Sequence, residues 1–132
     1  LIFVIFKFLN KLQFLNFMIY NLEERVSVFG ENIIVLCKKI NRNEITRNLI
    51  SQLVRSATSV GANYMEANEA SSNRDFVNKI RIALKEANET KHWLRMLAKA
   101  DDSFIVDCRK YWQESHELTL ILAKISKSTI KN

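Results

Sequence analysis

"SATSVGANYM", residues 56–65, contains one of only two glycines in the chain, among mostly small or polar residues. Alone it reads as a loop. Its flanks say otherwise, because Ile45, Leu49, Leu53, Ser56, Val60, Asn63 and Ala67 step by three and four straight through it, the spacing of one helical face. The stretch is therefore expected to be the middle of a helix, with its small residues marking where a neighbouring helix comes close. If the turn to the next helix is centred near residue 72, positions at equal height on the two helices sum to about 144, as in an antiparallel hairpin of helices. That sets Ala57 level with Ala87 and Gly61 level with Ala83, small against small. The helix axes should then approach at the lower end of the roughly 8–10 Å range.

The same spacing organises the rest of the chain. Leu22, Val26, Phe29, Ile33, Leu36 and Ile40 form an earlier stripe, which "NRN" at 41–43 interrupts. Phe76, Ile80, Ala83, Ala87, Thr90, Leu94 and Leu97 form a third, entered through Ser72 or Asn73 as a cap, with Asp75 in its first turn to suit the helix dipole. "DDS" at 101–103 caps a fourth stripe of Phe104, Cys108, Tyr111, Ser115, Leu118, Leu122 and Ile125. Proline is absent and glycine rare, which favours long helices over many short strands. Short connections make successive helices antiparallel neighbours. The expected fold is all-α, an up-down-up-down antiparallel four-helix bundle, and 132 residues suffice for one core. On helix two an apolar or small arc through Leu49, Val60, Leu53, Tyr64, Ala57, Ile50, Gly61, Val54 and Met65 covers about half the circumference. That is wider than one core contact requires, and it points to a second buried contact, most simply with another copy of the protein.

Residues 1–17, "LIFVIFKFLNKLQFLNF", differ from the rest of the chain: they hold five of the eight phenylalanines, and 15 of the 17 are Phe, Ile, Leu, Lys or Asn. They lack the ordered basic start, apolar run and small-residue site of a signal peptide, and Lys7 and Lys11 interrupt any membrane span. They are read as upstream read-through or an unstructured leader, with Met18 as the natural start and 18–132 as the bundle domain. The intact mass of protein made from its native gene checks this; a mature chain retaining residues 1–17 would contradict it. Cys37 and Cys108 have no CxxC pairing and no histidine at ligand spacing, which suits buried reduced thiols in a cytoplasmic protein.

Charged groups also lie close to the core. Arg55, Ser59, Asn63 and Glu66 share the polar flank of helix two, and Glu86 and Glu89 lie on helix three. Glu86 falls inside the apolar arc between Trp93 and Leu97, so it needs a partner. The mirror register puts Arg55 at the height of Glu89 and within a turn of Glu86, where its planar fork can clamp carboxylates. Such a pair most simply specifies the fold; a binding or catalytic role is the alternative. Glu89 and His92 also spell E-x-x-H, the spacing of di-iron bundles, but those need the motif on two helices, and the only other histidine, His116, has Gln at position 113. No catalytic set, metal site or cofactor site is expected.

The excess of 20 Lys and Arg over 14 Asp and Glu gives a net charge of +6. In the expected topology one end of the bundle gathers Lys38, Lys39, Arg42, Arg47, Lys91, Arg95, Lys99, Arg109 and Lys110 against Glu44, Asp101, Asp102 and Asp107, a balance of +5. Repeated around a symmetric oligomer, such a cluster would make a basic rim for phosphate backbones.

"YNLEERVSVFGENIIVLCKKI", "SQLVRSATSVGANYMEA" and "DFVNKIRIALKEANETKHWLRML" resemble the four-helix-bundle family encoded by intervening sequences of bacterial 23S rRNA genes, also labelled S23 ribosomal protein. The resemblance runs over roughly residues 19–125, and Arg55, Ser56, Ser59, Asn63, Glu66, Glu86, Glu89, Trp93 and Leu94 match residues typical of the family. It implies homo-oligomers, with pentamers as precedent. A related branch, the accessory variability determinant of diversity-generating retroelements, partners a reverse transcriptase. Two functions are therefore expected: a non-enzymatic oligomer contacting RNA or DNA through the basic end, or a purely structural or protein-interaction oligomer, such as a reverse-transcriptase accessory subunit. Neither involves a membrane.

Overall fold

The structure, a computed structural model, describes residues 1–130, with side chains described at all of these except 14–20. Four α-helices run α1 Ile2–Lys38, α2 Glu44–Asn68, α3 Asn73–Ala100 and α4 Ile105–Ile130, with a 3₁₀ turn at Asp102–Phe104 leading into α4. Each helix packs against its neighbours in chain order, and α4 returns to α1, while neither diagonal pair is in contact among the described residues. This is the expected up-down-up-down bundle.

The loops end where their chemistry requires. The Asn43 side chain accepts from the N–H groups of Ile45 and Thr46, and the Thr46 hydroxyl accepts from the Asn43 N–H at 2.9 Å, a capping box that opens α2. Ser72 caps α3 by accepting from the Asp75 N–H at 3.1 Å. Asp101 accepts from the Ser103 N–H and so caps the 3₁₀ turn.

All six residues of the first stripe are buried, as are Leu53, Ser56, Val60 and Ala67 of the second and every position of the third except Phe76, which is partly covered. Ile45 departs from its stripe and is 66% exposed, because it sits in the first turn of α2, where neither neighbouring helix covers it. Thr46 is buried in its place and donates to the Asn41 carbonyl at 2.7 Å.

The mirror register between α2 and α3 is present: Arg55 meets Glu86 and Glu89, Thr90 donates to the Ser56 hydroxyl at 3.0 Å, and Lys79 pairs with Glu66 at 2.7 Å. Ala57, Ala83 and Ala87 are fully buried. Gly61, however, does not face Ala83. A methyl group on it would meet the backbone of Val26 on α1, at 3.5 Å from the carbonyl oxygen. Gly30 on α1 answers it, facing the Thr58 Cα at 3.6 Å. Both glycines of the chain thus line the α1–α2 contact, each against the other helix's backbone. Much of the wide arc of α2 has the same explanation: this helix is packed between α1 and α3, so Ile50, Leu53, Ala57, Val60, Gly61 and Tyr64 are buried within a single chain, while Leu49 and Val54 are partly covered and Met65 is exposed. No second copy is required to cover the buried residues.

The fourth seam, between α1 and α4, is the loosest. Arg25 closes it, with Nε donating to Glu114 at 2.6 Å and Nη2 donating to both Glu114 and Glu117.

Residues 2–13 continue α1 as an exposed helical extension, with Ile2 and Phe3 at 85% and 68% exposure. Met18, where the sequence suggests a start, lies outside the described side chains. Among the described residues no helix is long and apolar enough to cross a membrane.

Candidate nucleic-acid interface

Two groups of polar residues stand out, and they differ in what they can do. The first is the α2–α3 cluster. Arg55 reaches across to Glu86 at 3.2 Å and to Glu89 through its other terminal nitrogen, while its Nε donates to Gln52. Glu89 also accepts from the Trp93 indole N–H at 3.1 Å. Ser59 and Asn63 turn back to their own helix, donating to the carbonyls of Arg55 and Ser59. Burial pushes the Glu89 carboxyl up, but the hydrogen bonds from Arg55 and Trp93 and the Arg55 charge outweigh it, and the net shift is down. Every member is thus engaged within the bundle, and no buried side-chain polar atom among the described residues lacks a partner. With its carboxylate committed to Arg55 and Trp93, Glu89 is not poised as a metal ligand. Among the described residues no three His, Cys, Asp or Glu side chains converge as a metal site needs.

The second group is the basic end. Cys37 in the last turn of α1 and Cys108 near the start of α4 are close enough to act on each other electrostatically, and Arg42 acts on Cys37. The α1–α2 and α3–α4 turns therefore share one end. Burial, helped by the facing thiol, pushes Cys37 up to about 11. Burial, followed by Asp107 and Asp101, does the same to Cys108, also to about 11. Both are protonated at neutral pH and unreactive as nucleophiles.

Around these thiols, Lys38, Lys39, Arg42, Arg47, Arg95, Lys99, Arg109 and Lys110 are all exposed. The five ion pairs among the described residues belong to Arg25, Arg55 and Lys79, so none of these eight cations is neutralised by a described acid of its own chain. The structure sorts them into three places. Lys38, Lys39, Arg42 and Arg47 flank the α1–α2 turn. Arg95, Lys99 and Arg109 line an open cleft of about 650 Å³ between α3 and α4, with Leu94, Met96, Ala98, Ile105, Cys108 and Trp112. Lys110 points away from that cleft into the α1–α4 groove beside Arg25, its ammonium 5.5 Å from the centre of the Tyr111 ring. Lys91 is partly buried and already engaged, lying over Trp112 at 5.4 Å and against His116 Nδ1 at 3.4 Å.

Sequence reasoning missed Trp112. It falls off the buried stripe of α4 and so carries no periodic signal. Its spacing does, since Arg109 lies three residues before it and His116 four after, all on one helical face.

The family model of the 23S rRNA-intervening sequence protein matches residues 21–102. The chain belongs to this family. A crystal structure of a protein of unknown function from the S23 ribosomal protein family, from Bacteroides thetaiotaomicron, is 34% identical, with a TM-score of 0.70 over 80% of this chain and 97% of that one. No curated protein matches. The matched span of this 23S rRNA-intervening sequence protein family member includes the whole Arg55 cluster and the α1–α2 basic turn, together with Arg95 and Lys99; Arg109, Lys110 and Trp112 lie beyond it.

Proposed function

We propose that this protein is a non-enzymatic, homo-oligomeric bundle that contacts RNA or DNA in the cytoplasm through its basic end. The observation that carries this reading is the set of eight exposed cations at this end, all without an acid partner among the described residues, seven of them at the α1–α2 turn and along the α3–α4 cleft and Lys110 in the neighbouring α1–α4 groove. Unpaired, solvated cations are what a phosphate backbone needs, because binding releases its condensed counterions. The family's association with 23S rRNA intervening sequences supports an RNA ligand. Oligomerisation finds support in apolar side chains exposed outside the core, including Val35, Val106 and Leu120, at 51%, 75% and 59%. Those same residues favour the second reading, a structural or protein-interaction oligomer, for example one serving a reverse transcriptase. Replacing Lys39, Arg42 and Arg47 with Gln separates the two. The nucleic-acid reading predicts weaker, less salt-dependent binding with an unchanged oligomeric state. Absent or salt-insensitive binding by the unaltered protein favours the second.

A further inference from the structure

The cleft between α3 and α4 has a chemistry of its own within the basic end. Its floor is apolar, from Leu94, Ala98, Ile105 and Cys108, while Arg95, Lys99 and Arg109 stand along it and no carboxylate lines it. Its volume of about 650 Å³ falls within the roughly 300–1,000 Å³ of small-ligand sites. Trp112 lines it and is 38% exposed. The indole is held in place: His116 stacks on it with ring centres 5.3 Å apart and planes 15° from parallel, and the Lys91 ammonium lies over the ring. A duplex presents its phosphates outward and keeps its bases stacked inside, so it could use the three cations but not the apolar floor or the indole. An unstacked nucleotide uses all of them, since every base has a π-face and an adjoining phosphate.

We propose that this cleft receives one unstacked nucleotide of a single-stranded nucleic acid, its base against Trp112 and the apolar floor and its phosphates on Arg95, Lys99 and Arg109. This rests on the nucleic-acid reading above and gives it a strand preference. The expected ligand is a flexible single strand or an unpaired loop rather than a perfect duplex.

The test uses the full chain with fluorescently labelled oligouridylate, oligothymidylate and a mixed-sequence duplex, each about 12 nucleotides long, within the usual site sizes of single-strand binders. Both single strands should bind more tightly than the duplex; tighter oligouridylate identifies RNA as the preferred source, and tighter oligothymidylate DNA. Trp112→Ala should weaken single-strand binding roughly 5- to 150-fold, the range for losing one stacked base, and leave duplex binding unchanged. Trp112→Phe should retain most of the affinity. Should Trp112→Ala unfold the bundle, Trp112→Leu, which keeps an apolar side chain at this partly exposed position and removes only the π-face, should weaken single-strand binding and leave duplex binding unchanged. If strands and duplex bind equally, and Trp112→Ala changes neither, the cleft proposal is overturned while the basic-end reading stands. If nothing binds, both fail.

Discussion

At the scale of single residues, Arg55 joins two helices through one planar group, and its loss would leave Glu86, whose side chain is only 15% exposed, without its cation. Charge-assisted hydrogen bonds contribute about 1.5–3 kcal/mol, less where solvent reaches them, so Arg55→Ala should destabilise the protein by about 1–2 kcal/mol in urea titrations. The pH dependence has a definite sign. The Glu89 carboxyl is lowered in the fold from an ordinary value of 4.5, so its contribution is present above that value and is lost as pH falls through the lower, folded one. The gap between the wild type and Arg55→Ala should therefore be constant near neutrality and narrow below about pH 4.5. Gly61 tests the α1–α2 contact. A Cβ there would meet ordinary van der Waals distances of 3.5–3.7 Å, so Gly61→Ala should be neutral or stabilise by up to about 1 kcal/mol through helix propensity. Gly61→Leu should cost about 1–3 kcal/mol by overpacking. Cys37 and Cys108, held protonated by burial, should resist iodoacetamide in the native protein and react promptly once it is unfolded.

At the scale of elements, the four helices and the caps at Ser72 and Asp101 are legible in the sequence because apolar spacing, capping residues and the absence of proline all point the same way, whereas the Asn43 capping box and the continuation of α1 back to Ile2 are not read from that spacing. The register of α2 on α3 is legible for a related reason: a short turn fixes which heights face each other, and Arg55, Glu86 and Glu89 meet as that rule requires. What a helical wheel does not carry is which neighbour covers which part of a wide arc. It therefore sets Gly61 against α3 although the residue faces α1, and it does not show that Leu53, Ala57, Val60 and Tyr64 are covered within one chain while Met65 of the same arc stays exposed. The Arg25 clamp to Glu114 and Glu117 is invisible for the complementary reason, since no short turn links α1 to α4 and nothing in the sequence fixes their relative height. The looseness of that seam has a dynamic consequence. Amides in α2 and α3, each flanked by two well-packed neighbours, should show the slowest hydrogen exchange, and those of α1 and α4 should open first. Residues 2–13 of α1, whose side chains are exposed, should be removable without lowering the midpoint of thermal unfolding.

At the scale of the whole molecule, the basic end follows from topology more than from any motif. The cations are spread from residue 38 to residue 110, and only the antiparallel return of the chain brings the two turns that bear them to one end. That much is legible once the bundle is assigned. The division of the end into a basic turn, a cleft lined by Trp112 and a separate groove holding Lys110 is not, because it depends on side-chain direction around α4. Phosphate contact by the basic end is tested most directly by the salt dependence of binding to a single-stranded RNA, measured for the full chain and for the variant with Gln at positions 39, 42 and 47. The logarithm of the affinity should fall linearly with the logarithm of salt concentration, and the variant's slope should be shallower by about 2, at roughly 0.7 per lost phosphate contact on a single strand. Identical slopes for the two proteins, or affinity indifferent to salt, would contradict it.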